Sequence, residues 1–303
     1  MERNFRKLTL IKLIKEAGLV TDLVKKQLGK DLPNDKEKPV IPFKVLGSVG
    51  PGTSVLMPPN PVKPDGTVDI IIQIRGLSAG DAKTISTLGK NAVFITSEAG
   101  GKGSKENFQA YGNPGFVNQA VGTVLNFLKK QNPDKNISLG KLTISSFSGG
   151  GSATANLLAN RNQLPKGKEP PKFVFIDGLH TDPNSDTMKA IIDFGQKAAK
   201  TPQAGELEII YTAVIPKGYN STTQVADHIL GSLGLQRQPV SQWQQGKGPV
   251  SQAVQGGVKI IQLYDKPEPY KVKDPETGEL KANIPGTAGY QHINALKWKL
   301  QNF

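Results

Sequence analysis

A chain of 303 residues is long enough to bury a large core, in one α/β domain or two smaller ones. Its 37% hydrophobic content, with 33 glycines and 22 prolines, is that of a loop-rich globular protein and excludes coiled coils and disordered chains. The lack of cysteine excludes disulfides, thiolate metal sites and cysteine nucleophiles, while a net charge of +13 favours contact with acidic polymers such as nucleic acid, anionic glycans or membrane surfaces. No zinc-finger spacing and no aromatic RNP-like strand accompanies the charge.

Residues 5–29 set Phe5, Leu8, Leu10, Leu13, Ile14, Leu19, Leu23, Val24 and Leu28 at helical spacing with lysines between them, which predicts two short amphipathic helices broken at Gly18. The segment from Gly29 to Pro42, rich in Lys, Asp and Pro, reads as a linker, so residues 1–40 form a basic arm and 41–303 the main domain. Within the arm, Leu10-Ile11-Lys12-Leu13-Ile14-Lys15-Glu16-Ala17 resembles the short helical leaders of some tailed-phage structural proteins. That resemblance implies docking to a larger assembly; an ordinary packing helix is the alternative. No apolar run approaches the roughly 20 residues of a membrane span, and Lys12, Lys15 and Glu16 fall where a secretory signal would be apolar. A soluble protein without a Sec-type signal, cytoplasmic or virion-associated, is expected.

From the linker onward the chain alternates strand-like and helix-like segments, the pattern of a mainly parallel sheet with helices on both faces. Strands are predicted at Val68–Arg75, Ala92–Ser97, Leu142–Phe147, Phe173–Asp177, Glu208–Val214 and Val258–Tyr264, and helices at Asp81–Leu88, Phe116–Gln131, Ala153–Asn160, Thr187–Lys200, Thr222–Leu233 and His292–Leu300. Phe43–Met57 supplies an antiparallel edge pair, and Tyr270–Ala282, around Asp274-Pro-Glu-Thr-Gly278, a hairpin. In the Gln-rich insertion 236–257, Pro239-Val-Ser-Gln-Trp243 recurs as Pro249-Val-Ser-Gln-Ala253. Trp243 is a candidate lid or substrate-contacting residue, or part of a surface excursion without a role.

The segment Lys141-Leu-Thr-Ile-Ser-Ser-Phe-Ser148-Gly149-Gly150-Gly151-Ser152-Ala153 joins a β-branched strand to an Ala/Leu helix through one serine followed by glycines. A serine held in a strained turn at a strand's carboxyl end needs small residues two positions away on each side, here Ser146 and Gly150. The pattern S-x-S-x-G stands where G-x-S-x-G is usual, and on these residues the chain resembles the α/β-hydrolase superfamily.

The resemblance implies a Ser148 nucleophile activated by a histidine beyond the last strand and an acid between them. His292, in Gly289-Tyr290-Gln291-His292, is the leading base, with His180 the alternative and His228 set inside a helix. Asp177 ends the apolar run Phe173-Val-Phe-Ile, where an ionic group is costly to bury unless partnered, and is the leading acid. Many members place the acid after the following strand, where this chain has Pro216-Lys217-Gly218-Tyr219, and Asp265 is the alternative. The order Ser148, Asp177, His292 is the family's. The oxyanion hole is expected from the N–H of Gly149 and that of Gly76 or Leu77 in Arg75-Gly76-Leu77-Ser78, with Arg75 where a histidine is often found.

A phosphate cradle on Gly149-Gly150-Gly151 is the weaker reading, since no Gly-Lys-Ser/Thr follows, and Gly100-Gly101-Lys102-Gly103 misplaces its lysine for a phosphate loop. Asp182-Pro-Asn184-Ser-Asp186 lacks the glycine and distal glutamate of a calcium loop and reads as a helix cap. The expected activity is hydrolysis of an ester or amide of a small molecule, lipid or polymer, without cofactor or metal. The alternative is a non-catalytic scaffold docking to a larger assembly or an anionic polymer.

Overall fold

Period-two alternation within the strands decides which face of the sheet each side chain enters. The computed structural model describes residues 44–49, 52–77, 90–97, 105–216, 218–240, 248–269, 271–274, 276–281 and 286–302. The chain divides into two units, Met1–Pro39 and Val40–Phe303, and every described residue lies in the second. The arm, the linker, the Asp81–Leu88 helix, the Gly100–Gly103 loop and Trp243 lie outside the described residues.

Among the described residues ten strands form one sheet: β1 (Lys44–Gly47), β2 (Thr53–Met57), β3 (Thr67–Ile74), β4 (Val93–Ser97), β5 (Ser138–Phe147), β6 (Lys172–Ile176), β7 (Glu206–Tyr211), β8 (Gln238–Pro239), β9 (Ser251–Gln255) and β10 (Val258–Gln262). Their spatial order is β1-β2-β4-β3-β5-β6-β7-β10-β9-β8. The six inner strands from β4 to β10 run parallel, and the pairs at both edges are antiparallel. The predicted hairpin after the sheet is present as β11 (Val272–Lys273) paired with β12 (Leu280–Lys281).

Helices α1 (Pro114–Gln131), α2 (Gly151–Ala159), α3 (Asp186–Lys200) and α4 (Thr222–Leu233) carry Val117, Leu157, Ile191 and Ile229 into a core shared with Ile70, Ile72, Phe173, Phe175, Leu207 and Ile209. The residues between these on the strands, Val174, Ile176 and Ile210, enter a second core with Ala295 of α5 (Ala288–Gln301), and Ile71 and Phe94 meet Leu300 of the same helix. Both faces are therefore covered, as continuous apolar parallel strands require. The architecture is α/β-hydrolase-like: a mainly parallel sheet between helices, with the strand-to-helix turns at its carboxyl edge. Among the described residues no helix is long and apolar enough to cross a membrane.

Several boundaries differ from expectation for identifiable reasons. Strand β5 begins at Ser138, not Leu142, because the Asp69 carboxylate accepts the Lys141 N–H at 2.9 Å and bridges a register shift against β3. Helix α5 starts at Ala288, not His292, since the Thr287 hydroxyl caps it by accepting the Tyr290 N–H at 3.2 Å. The second Gln-rich repeat is no excursion: Ser251–Gln255 is a strand antiparallel to β10. The Asp182–Asp186 segment caps α3, with the Ser185 hydroxyl accepting the Met188 N–H and the Asp182 carboxylate accepting the Asn184 N–H.

Candidate active site

Ser148 follows β5 directly and has φ 52°, a left-handed conformation costly for a residue with a Cβ. Close packing holds it there. A Cβ on Gly150 would stand 2.6 Å from the Ile74 carbonyl oxygen, and one on Gly151 would stand 1.8 Å from that of Gly178. Ser146, the small residue on the other side, is fully buried. The turn passes through Gly149 and Gly150 in a short 3-10 turn into α2, whose first N–H groups lack partners within the helix.

Strand β6 brings Asp177 to the same edge. Its N–H donates to the Ile210 carbonyl at 2.7 Å and its φ is 43°, which turns the chain so that Gly178 passes against the Ser148 backbone, where a Cβ would lie 2.2 Å from the serine carbonyl oxygen. The Asp177 carboxylate is buried and accepts four hydrogen bonds: from Thr212 N at 3.1 Å, Thr212 Oγ1 at 2.8 Å, Thr222 Oγ1 at 2.7 Å and His292 Nδ1 at 2.7 Å. Thr222 is the first residue of α4, fixed by the Ser221–Gln224 capping box, so the carboxylate also faces a helix amino end. Burial pushes the Asp177 pKa up, but His292, Thr222 and Thr212 outweigh it and hold the acid below its ordinary value.

An ionised carboxylate only accepts, so a neutral His292 carries its proton on Nδ1 and leaves Nε2 as the basic nitrogen. Its ring stacks on Phe147, the residue before Ser148, with centroids 4.4 Å apart and planes at 29°. The imidazole is thus oriented at one nitrogen and on one face beside the serine turn.

The β3 loop completes the arrangement. Arg75 and Gly76 both have positive φ, 65° and 90°, and a Cβ on Gly76 would press on Phe147 and on Leu296 of α5. Leu77 is buried against Leu300. The Arg75 guanidinium lies 5.8 Å from the Phe108 ring centroid, and burial lowers its pKa.

Ser148 and Asp177 follow the neighbouring strands β5 and β6 at one edge of the sheet, His292 bonds Asp177 and stacks on Phe147, and Gly76 lies against Phe147. The alternatives make other contacts, with His180 within electrostatic range of Asp177 and His292. His180 places Nδ1 2.8 Å from the Asn220 carbonyl oxygen and its ring edge-to-face with Tyr219, and burial lowers its pKa. Asp265 is exposed after β10, and His292 is bonded to Asp177 instead. Sequence reading missed Thr212, Thr222, Gly178 and Phe147. The Ser221-Thr-Thr-Gln224 cap pattern marks where α4 begins, and nothing in the sequence marks the other three. Among the described residues no group of three or more His, Asp or Glu side chains could hold a metal ion.

No protein-family model and no curated protein matches the chain. Solved structures similar to it include an acetyl xylan esterase from Aspergillus awamori (TM-score 0.40, 12% identity, covering 74% of this chain and 93% of that one). A thermostable esterase has TM-score 0.41 and 10% identity, over 86% of this chain and 61% of that one. An IroE-like serine hydrolase from Shewanella oneidensis has TM-score 0.43 and 11% identity, over 86% and 79%. Likenesses of this strength add no argument to the geometry above.

Proposed function

We propose that this chain is a serine hydrolase that cleaves a carboxylic ester through an acyl-enzyme on Ser148, with His292 as general base and Asp177 as the acid that orients it. The observation that carries the reading is the 2.7 Å contact between the buried Asp177 carboxylate and the partly exposed His292, whose ring stacks on the residue before a serine in a left-handed turn. A buried carboxylate with four donors is already satisfied as an acceptor. Its placement on the histidine fixes the tautomer that proton removal from a serine requires.

In this reading His292 Nε2 takes the Ser148 proton as Oγ attacks the ester carbonyl. The oxyanion forms against the N–H of Gly149 and that of Gly76 or Leu77, where charge appears only in the transition state. Collapse expels the alcohol with the proton from His292. Water then repeats the sequence on the acyl-enzyme and releases the acid. Amides share the route, with a poorer leaving group.

The test is hydrolysis of p-nitrophenyl acetate and butyrate by the full chain beside Ser148→Ala and His292→Ala. Loss of roughly 10³-fold or more in kcat in both variants, with folding retained, is expected. Turnover in the parent that neither variant reduces would contradict the assignment, and no turnover of any ester or amide by the folded parent would favour a scaffold.

A further inference from the structure

We infer that Gln73 is a positioning residue for the oxyanion donors, acting through the Arg75–Gly76 peptide; this rests on the hydrolase reading of Ser148. Gln73 is the penultimate residue of β3 and fully buried, in register with Thr96 of β4 and Ser145 of β5. Its Nε2 donates to the Arg75 carbonyl oxygen at 2.7 Å. Because the acceptor is a carbonyl, only the amide nitrogen can make this bond, which settles the orientation of the side chain.

The bond falls on the peptide between two left-handed residues, Arg75 and Gly76. A trans peptide is planar, with C=O and N–H pointing in opposite directions, so pinning the Arg75 oxygen fixes where the Gly76 N–H points. Two further contacts flank the peptide: the Arg75 N–H, on the preceding peptide, donates to the Ser97 carbonyl at 2.9 Å, and Gly76 lies against Phe147 and Leu296. Accepting a hydrogen bond at the oxygen also polarises the amide and strengthens its N–H as a donor.

A second observation separates this role from simple packing. Gln73 stands among Ile70, Ile71, Ile72 and Ile74, and its Oε1 has no hydrogen-bond partner among the described residues. Nor has the hydroxyl of the neighbouring Ser145. A buried amide with its acceptor unmet is disfavoured where an apolar side chain of the same size would pack freely. The Nε2 bond to the loop is what this glutamine supplies and a methionine would not.

The experiment compares the full-length parent, Gln73→Met and Gln73→Glu in kcat and KM for p-nitrophenyl butyrate, in inhibition by a trifluoromethyl ketone, and in Tm. Gln73→Met is expected to lower kcat about tenfold with KM within about threefold, and to weaken the ketone, which forms a tetrahedral adduct, by a similar factor. Its Tm stays at or above that of the parent. A glutamate donates only when protonated, so the kcat of Gln73→Glu relative to Gln73→Met rises as pH falls from about 8 to about 6, within the range a buried carboxyl can reach. A merely structural role would move kcat with Tm and leave that ratio flat. Parental kcat in folded Gln73→Met overturns the inference and leaves Ser148 untouched. A parent whose turnover survives Ser148→Ala overturns both.

Discussion

His292 Nδ1 lies 2.7 Å from Asp177 Oδ2 across 115 residues of sequence, and the same carboxylate is held by the hydroxyls of Thr212 and Thr222. If the carboxylate's task is to keep the imidazole in one tautomer, Asp177→Asn should leave the fold and KM nearly unchanged. Its kcat should fall roughly 10³–10⁴-fold, because an amide can place its NH2 against Nδ1 and shift the proton to Nε2. Steady-state kinetics with a melting curve checks this, and a kcat within tenfold of the parent would remove Asp177 from the mechanism.

Thr222→Val deletes one hydrogen bond to a buried charge and should lower stability by roughly 1.5–3 kcal/mol at pH 7. The sign of its pH dependence follows from the depressed Asp177 pKa. Stability from the carboxylate's partners is fully present above the ordinary Asp value of about 3.9 and is lost as pH falls through the lower folded value. The gap between parent and variant in urea unfolding should therefore be widest at neutral pH and narrow in acid.

Two glycine substitutions separate close approach from helix propensity. Gly151→Ala sets a Cβ against the Gly178 backbone oxygen, which cannot move without displacing Asp177 and Ser148. It should cost about 3 kcal/mol or more, or prevent folding. Gly231 is exposed in α4, and a Cβ added there would meet nothing within 4 Å, so Gly231→Ala should gain about 0.5–1 kcal/mol. Thermal unfolding of the two variants should move in opposite directions.

On the α5 face, Glu208 is buried between Lys172 and Lys299, each at 2.8 Å. Burial lowers the Lys299 pKa to about 8, against the pull of Glu208. The unfolded chain therefore binds more protons between about 8 and about 10.4, and this group adds stability as pH rises through that window. Burial also pushes the Lys172 pKa down, but Glu208 and Glu206 outweigh it and raise it, so its contribution runs the other way. Lys299→Met should lose stability relative to the parent as pH is raised from 7 to about 10, while Glu208→Gln, which takes the Glu208 carboxylate from the buried Lys299 ammonium and leaves Lys172 its pairing with Glu206, should cost roughly 3 kcal/mol at pH 7. Chemical denaturation at the two pH values measures both.

The parallel core was legible because its strands are short runs of Ile, Val, Phe and Leu that need cover on both faces, and the serine turn because its glycines crowd one place. Asp177 stood out as a charge ending the run Phe173–Ile176. The strand Ser251–Gln255 was not legible, since only Ala253 of its five residues is buried and its pairing to β10 is made by backbone groups. The threonines that hold Asp177 were hidden for a different reason. Thr212 and Thr222 come from two elements whose approach depends on the completed sheet, and a threonine in isolation carries no signal of its acceptor. Gly178 reads as an ordinary loop residue until the β5 and β6 turns are set side by side.

The central claim, that Ser148 is an activated nucleophile, is tested most directly by a fluorophosphonate probe on the parent and Ser148→Ala, read by intact mass. One adduct on the parent and none on the variant is the result this account predicts. A folded parent that takes no label, or a Ser148→Ala variant that still takes it, would contradict the account.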